Sequence, residues 1–241
     1  MIERFRFRQR RPGRAGSRTD PIMFPASRAY LFDFDLTLAD SSDAITFCAE
    51  SALTDMGITP PPAARIRESI GLTLPATFAF LTGLDDASLA ATYATRFVAH
   101  GDQVMVKMTR FYPEAISLLF TLSAQAIPVA IVSTKFRYRI EQILRHANLA
   151  HYVTAIVGNE DVTHHKPDPE GLHKALALLG VAPHEAVYVG DHEADAQAAA
   201  AAGVPFIGAV TGQIDAAQWR ERGCRSVERD LGELMTFGTA R

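Results

Sequence analysis

Short apolar runs alternate with segments of helical length along the second half of the sequence. The runs at residues 128–133, 186–190 and 206–209 are apolar at nearly every position, which is typical of strands buried on both faces. Between them, apolar residues recur with the 3.6-residue period of amphipathic helices. The pattern predicts an α/β fold, in which a doubly wound, Rossmann-like parallel sheet is covered by helices on both sides. The other expected elements are helices at about 113–125, 138–147, 169–179 and 194–202, and strands at 153–157 and near 226–227.

A long helical interval separates the first apolar strand from this alternation. Residues 40–110 show helical periodicity without a convincing strand, and they far exceed the crossover that one βαβ unit needs. We therefore expect a small all-helical domain inserted at residues 41–110 into an α/β core of residues 23–40 and 111–241. The helices expected in the insertion cover about 41–56, 63–70, 75–81 and 86–100.

Charge divides the chain unevenly. Residues 1–22 contain seven arginines against Glu3 and Asp20, whereas the whole chain has a net charge of −3. We expect a basic, disordered extension at 1–22. The acidic remainder argues against a nucleic-acid partner.

The apolar runs and the cysteines indicate the cellular compartment of the protein. No run approaches the roughly 18 apolar residues that span a bilayer, so we expect no membrane partner. Cys48 and Cys224 lie far apart and lack metal-ligand spacing. A cytoplasmic protein with two unpaired thiols is the expected result.

The first apolar strand ends in two carboxylates, Asp33 and Asp35. Two like charges this close raise each other's pKa unless a positive group lies between them. The pair therefore favours a bound divalent metal ion.

Further polar residues follow the other apolar strands. Ser133 and Thr134 come after one strand, Lys166 lies in a loop before a proline, and Asp191 and Asp195 follow residues 186–190. Open α/β sheets bind ligands beyond the carboxyl ends of their strands. Four acids, one lysine and one hydroxyl at that edge suit Mg²⁺-assisted phosphoryl transfer through an aspartyl phosphate.

These four blocks, in this order, resemble the haloacid dehalogenase superfamily of phosphohydrolases over about residues 30–210. The resemblance implies a Mg²⁺ cofactor and a cap domain at 41–110. It implies the following roles: Asp33 as the nucleophile, Asp35 as the general acid and base, Ser133 holding the phosphoryl group, and Lys166 neutralising that group and orienting Asp33. The implied metal site consists of Asp33, Asp35 through its carbonyl, Asp191, and Asp195 as a supporting residue.

Leu36 departs from the resemblance, because the family usually has glycine after the second aspartate. A Cβ at this position predicts a turn that does not use glycine-only backbone angles. We expect altered local packing with the chemistry retained.

The insertion resembles the cap of the phosphoglycolate phosphatase group. The resemblance implies a phosphoric monoester hydrolase that acts on a small phosphorylated metabolite, with 2-phosphoglycolate first, as a monomer or homodimer. The residues expected to contact substrate are Thr37, Thr134, Gly71 in the segment that meets the substrate, and Arg67 or Arg110 as the partner of a second anionic group.

Three alternatives stay open at this point. Residues 131–137 and 160–162 also resemble the small pyrophosphatase branch, and Lys135 with Arg137 would suit inorganic pyrophosphate. A phosphosugar mutase of the same superfamily differs in that its phosphoaspartate must outlive one turnover, and no sequence feature separates it cleanly from a phosphatase. A phospho-receiver signalling domain shares an aspartate, a lysine and a hydroxyl, but it lacks a large helical insertion after its first strand.

Overall fold

The structure is a computed structural model that describes residues 27–226 and 230–238. The segment 1–22, predicted to be a disordered extension, lies outside the described residues. Within them, no helix has both the length and the apolar character needed to cross a bilayer. Cys48 and Cys224 are free, and Cys48 is buried.

Six parallel strands form the central sheet, as the continuous apolar runs predict. These strands are β1 Ala29–Phe32, β4 Val129–Val132, β5 Ala155–Val157, β6 Ala186–Gly190, β7 Phe206–Gly208 and β8 Arg225–Ser226. Their order is β5-β4-β1-β6-β7-β8, and β1 lies between β4 and β6 through the pairs Phe32↔Ile131 and Phe32↔Val189. One cluster of buried apolar side chains lies on each face of this sheet. The α/β prediction is therefore confirmed.

Four helices fill the interval after β1, and they have an apolar cluster of their own that includes Phe78 and Tyr93. The chain enters and leaves this interval through a two-stranded antiparallel ribbon, in which Ala39 pairs with Phe111. The elements are β2 Ala39–Asp40, α1 Ser42–Asp55, α2 Ala63–Arg67, α3 Leu74–Thr82, α4 Ala87–Met108 and β3 Arg110–Phe111.

Helix α4 continues two turns beyond the predicted end near residue 100. Gly101 and Asp102 weaken helical propensity there, but Met105 is buried against the core, and Val104 and Met108 pack beside it. This packing carries the helix down to the sheet, whereas propensity alone favours an earlier end.

The remaining helices cover the sheet close to their predicted positions. The sequence pattern missed α9, which buries Trp219, and a 3-10 helix at Leu231–Gly238. These helices are α5 Pro113–Ala124, α6 Arg137–His146, α7 Glu170–Leu179, α8 Glu193–Ala202 and α9 Ala216–Glu221.

Candidate active site

The predicted polar residues meet at the carboxyl ends of the three central strands. Asp33 follows β1, Ser133 follows β4 and Asp191 follows β6, and all three are buried. The backbone N–H of Asp33 donates to the carbonyl of Val189 at 2.9 Å, which fixes the first acid against the strand that delivers Asp191. Neighbouring parallel strands thus bring together residues that are far apart in sequence.

Lys166 is the cation of this group. Its Nζ lies 3.0 Å from Oδ1 of Asp33 and 2.6 Å from Oδ1 of Asp195, and its side chain is only 7% exposed. Burial alone would lower the pKa of Lys166, but Asp195 and Asp33 outweigh burial and raise it. The lysine is therefore a permanent positive charge beside Asp33. A cis peptide bond joins it to Pro167.

Asp195 holds Lys166 in place. Its Oδ1 also accepts a hydrogen bond from the hydroxyl of Tyr188 at 2.8 Å, and its Oδ2 accepts one from the backbone N–H of His192 at 3.0 Å. The carboxylate comes so close to the end of β6 that a Cβ on Gly190 would lie 2.5 Å from it. With three donors already on its oxygens, Asp195 is placed to support the site rather than to be a free ligand.

Three acids gather at one point. Ligand oxygens of Asp33, Asp191 and Asp195 lie within 4.8 Å of one another, and Thr37 donates a hydrogen bond to Asp191 at 3.1 Å. Burial raises the pKa of Asp33 to about 6 against the opposing charge of Lys166. Burial, Asp33 and Asp195 raise the pKa of Asp191 well above its ordinary value.

The acids fit a divalent cation. Oδ1 of Asp35 is buried without a hydrogen-bond partner, and the contact of Oδ1 of Asp33 is the ion pair with Lys166 at 3.0 Å. Carboxylate and carbonyl oxygens are the ligands that Mg²⁺ prefers. A cation held by Asp33 and Asp191 would relieve the repulsion between these carboxylates.

Asp35 faces away from this acid group. Its Oδ2 pairs with Nζ of Lys135 at 3.0 Å, and the two side chains are 10% and 8% exposed. Both residues line a cavity of about 70 Å³ between the sheet edge and the inserted helices. Of the two acids after β1, only Asp33 has a carboxylate in the three-acid group.

Gly71 and Thr134 also line this cavity. Gly71 has a φ of +99°, which favours glycine, and its carbonyl accepts a hydrogen bond from Thr134 at 3.1 Å. The ring of His192 packs against Gly71, and a Cβ there would lie 3.5 Å from the ring. The loop after α2 is thereby fastened to the site by two residues of the core.

Neither predicted substrate arginine reaches the cavity. Arg67 is half-exposed and pairs with Asp43 at 2.8 Å, and exposed Arg110 lies on β3 outside the cavity wall. Arg137 pairs with Asp161 at 3.1 Å and is half-exposed. Surface salt bridges of this kind are the usual situation of arginines. The cations that line the cavity are instead Lys135 and Arg139.

The turn after Asp35 does use left-handed backbone, contrary to our expectation. Leu36 has a φ of +58°. Its N–H donates to the carbonyl of Ala39 at 2.8 Å, and its carbonyl accepts a hydrogen bond from Thr211. Its side chain packs against the core. These contacts hold a conformation that costs a leucine about 1–2 kcal/mol.

Sequence reasoning missed two contributors to the site, Tyr188 and Arg139. A tyrosine within a strand buried on both faces needs a partner for its hydroxyl, and this rule could have pointed to Tyr188. Arg139 stands one turn before Ile143 on the apolar face of α6. A charged residue on the apolar face of a helix could have pointed to Arg139 in the sequence.

The chain is similar to known hydrolases over most of its length. A family model described as haloacid dehalogenase-like hydrolase matches residues 30–209. A phosphoglycolate phosphatase of Rhodospirillum rubrum is 32% identical over 188 residues, which are 75% of this chain and 78% of that protein. One from Aquifex aeolicus is 31% identical over 187 residues, 78% of this chain and 86% of that protein. A crystal structure of a haloacid dehalogenase-like hydrolase from Bacteroides fragilis is 40% identical, with a TM-score of 0.83 over 86% of this chain and 99% of that one.

Proposed function

The chain belongs to the haloacid dehalogenase-like hydrolases and is a phosphoric monoester hydrolase, and we propose that it uses Mg²⁺ and an aspartyl phosphate to hydrolyse a small phosphorylated metabolite. The contact that carries this proposal is Lys166 between Asp33 and Asp195, with Asp191 beside them. A carboxylate that faces a fixed cation and a second acid is suited to receive a phosphoryl group.

In the first step a carboxylate oxygen of Asp33 attacks phosphorus, and the bond between phosphorus and the leaving oxygen breaks. Asp35 acts as the general acid and gives a proton to that oxygen as the leaving alcohol departs. Lys166 and the hydroxyl of Ser133 bind the phosphoryl oxygens. Mg²⁺, held by Asp33, Asp191 and the carbonyl of Asp35, would supply further positive charge for those oxygens.

In the second step a water molecule attacks the phosphorus of the aspartyl phosphate. Asp35, now ionised, takes the proton of this water, and the bond between phosphorus and Asp33 breaks. Phosphate leaves and Asp33 is restored. The same carboxyl group thus acts as acid and then as base.

We interpret helices α1–α4 as the cap. They have their own apolar cluster, and the ribbon of β2 and β3 joins them to the core. A cap over the crevice excludes water from the aspartyl phosphate. The small cavity beneath it favours a metabolite over a polymer.

The leading substrate is 2-phosphoglycolate, since two relatives bear the name phosphoglycolate phosphatase. Inorganic pyrophosphate is the second candidate, because Lys135 lines the cavity and would attract a second phosphoryl group equally well. A phosphosugar would have to fit its ring into the same small space.

The test measures phosphate release from a panel of phosphomonoesters and pyrophosphate, with Mg²⁺ and with chelator. We expect Mg²⁺-dependent turnover that is highest for 2-phosphoglycolate. Asp33→Asn should lose more than about 99% of kcat with unchanged circular dichroism. Turnover by Asp33→Asn at a tenth of the original rate would contradict the covalent route.

A further inference from the structure

Arg139 is a buried cation whose surroundings satisfy only part of its guanidinium group. It is 4% exposed on α6. Its Nη2 binds the carboxylate of Asp102 on α4 and the hydroxyl of Tyr138. Its Nη1 is buried without a hydrogen-bond partner. A buried donor of this kind costs free energy unless a further group accepts from it.

This guanidinium lines the same cavity as Lys135 and Asp35. Gly101 of α4 faces it, and a Cβ there would lie 3.3 Å from Nη1 and 3.5 Å from Nη2. Because Gly101 has no side chain, the backbone of α4 can lie close to the unpaired donor. Much of the remaining wall is apolar and includes Ile70, Leu72, Phe97 and Met105.

We propose that Arg139 and Lys135 form a subsite for a second anionic group of the substrate, next to the phosphoryl site. This inference rests on the proposed function and extends it. Arg139 supplies Nη1, and Lys135 supplies the ammonium protons that its contact with Asp35 leaves free. Anions and guanidinium groups form short, charge-assisted hydrogen bonds.

The size of the cavity limits the substrate class. A cavity of about 70 Å³ has room for a short substrate tail of a few non-hydrogen atoms. A carboxylate or phosphate within two or three bonds of the transferred phosphoryl group fits this space. Apolar walls around two cations disfavour a neutral polar tail.

Arg139 also connects the proposed subsite to the inserted helices. It belongs to the core helix α6, but Asp102 belongs to α4 of the inserted helices. An anion on Nη1 would therefore lie where the inserted helices contact the α/β core. The subsite is complete, and binds a charged tail, only when α4 packs against α6.

The first experiment compares 2-phosphoglycolate with ethyl phosphate, which has no charged tail. We expect Arg139→Met to lower kcat/KM by about 30-fold on 2-phosphoglycolate, and by less than about threefold on ethyl phosphate. Arg145→Met is the matched control, since Arg145 is an exposed residue of the same helix that pairs with Glu141. The control variant should have unchanged kcat/KM on both substrates. Equal losses of Arg139→Met on both substrates would overturn the subsite.

A second experiment measures binding without turnover, by calorimetry with 3-phosphonopropionate and propylphosphonate in Mg²⁺. The unsubstituted protein should bind the charged phosphonate at least about tenfold more tightly, and Arg139→Met should abolish the difference. Equal binding of the two phosphonates by the unsubstituted protein would refute the proposal. If neither ester is hydrolysed, the proposed function fails, but this comparison still decides the subsite.

Gly101→Ala covers the case in which Arg139→Met does not fold. Alanine is the better helix former at an interior position, and its methyl group would occupy the space beside Nη1. We expect at least about threefold weaker binding of 3-phosphonopropionate and unchanged binding of propylphosphonate, with circular dichroism showing that the variant is folded. Unchanged binding of the charged phosphonate would contradict the proposed position of the tail.

Discussion

The ammonium group of Lys135 lies 3.0 Å from Oδ2 of Asp35, and both side chains are almost buried. The other carboxylate oxygen of Asp35 has no hydrogen-bond partner. One lysine therefore sets the orientation of the proposed acid and base. It also links the chemistry at Asp35 to the cavity that receives the rest of the substrate.

Lys135→Met should lower kcat at least about tenfold, because Asp35 loses the contact that orients it. The free energy of unfolding should fall by about 3 kcal/mol, since a buried carboxylate is left unpaired. Steady-state kinetics and urea unfolding measure the two effects. The double variant Lys135→Met/Asp35→Asn should recover most of the stability; no recovery would show that lost packing causes the loss.

Tyr188→Phe removes the hydroxyl shared by Asp195 and Lys166. We expect kcat to fall about tenfold and the free energy of unfolding to fall by about 1 kcal/mol, since a buried carboxylate loses a donor. Tyr93→Phe is the control, because the hydroxyl of Tyr93 is buried without a hydrogen-bond partner. Its loss should leave stability equal or higher. Similar losses from both substitutions would mean that the contact with Asp195 has no special role.

Asp191→Asn tests the metal site. The Mg²⁺ concentration that gives half-maximal activity should rise by at least about tenfold, because a charged ligand is lost. In chelator the Tm should stay the same or rise, since the variant removes repulsion from Asp33 and Asp195. An unchanged Mg²⁺ titration would show that Asp191 is not a ligand.

The stability of the metal-free protein should depend on pH through Asp33. Burial raises the pKa of this acid from 3.8 to about 6, so the folded protein holds a proton that the unfolded chain has released between these values. The free energy of unfolding then falls as pH rises from about 4 to 6, by on the order of 3 kcal/mol.

Urea unfolding in chelator at several pH values measures this loss of stability. Asp33→Asn should remove most of the difference between pH 4 and pH 6. The comparison of the two proteins is needed because Asp191 and His192 also have shifted pKa values. A curve for Asp33→Asn that runs parallel to that of the unsubstituted protein would contradict a raised pKa for Asp33.

The sequence was sufficient to predict the sheet and the position of the acids that follow its strands. The apolar strand from Ala186 to Gly190 was predicted with its observed bounds. Periodicity reports which side of an element is buried, and parallel strands bring their carboxyl ends to one edge. The meeting of Asp33, Lys166 and Asp191 follows from these two rules.

Contacts between the inserted helices and the sheet could not be predicted in this way. The pattern favoured Arg67 and Arg110 as substrate cations, but the structure turns Arg67 towards Asp43 and places Arg139 on the cavity. Which arginine faces a cavity depends on the rotation and length of α4 and α6. The two additional turns of α4 come from tertiary packing, which single-segment propensity does not contain.

The position of β1 in the sheet has a consequence for synthesis on the ribosome. Tyr30 is made early, yet its strand partners are Val129 and Val187, much later in the chain. Chains emerge at about 5–20 residues per second, so Asp33 waits about 8–30 seconds for the strand that brings Asp191. The helices after β1 contact one another locally and can form while the central strand is still unpaired. A chain cut before β6 would therefore contain the proposed nucleophile without the strand that completes its site.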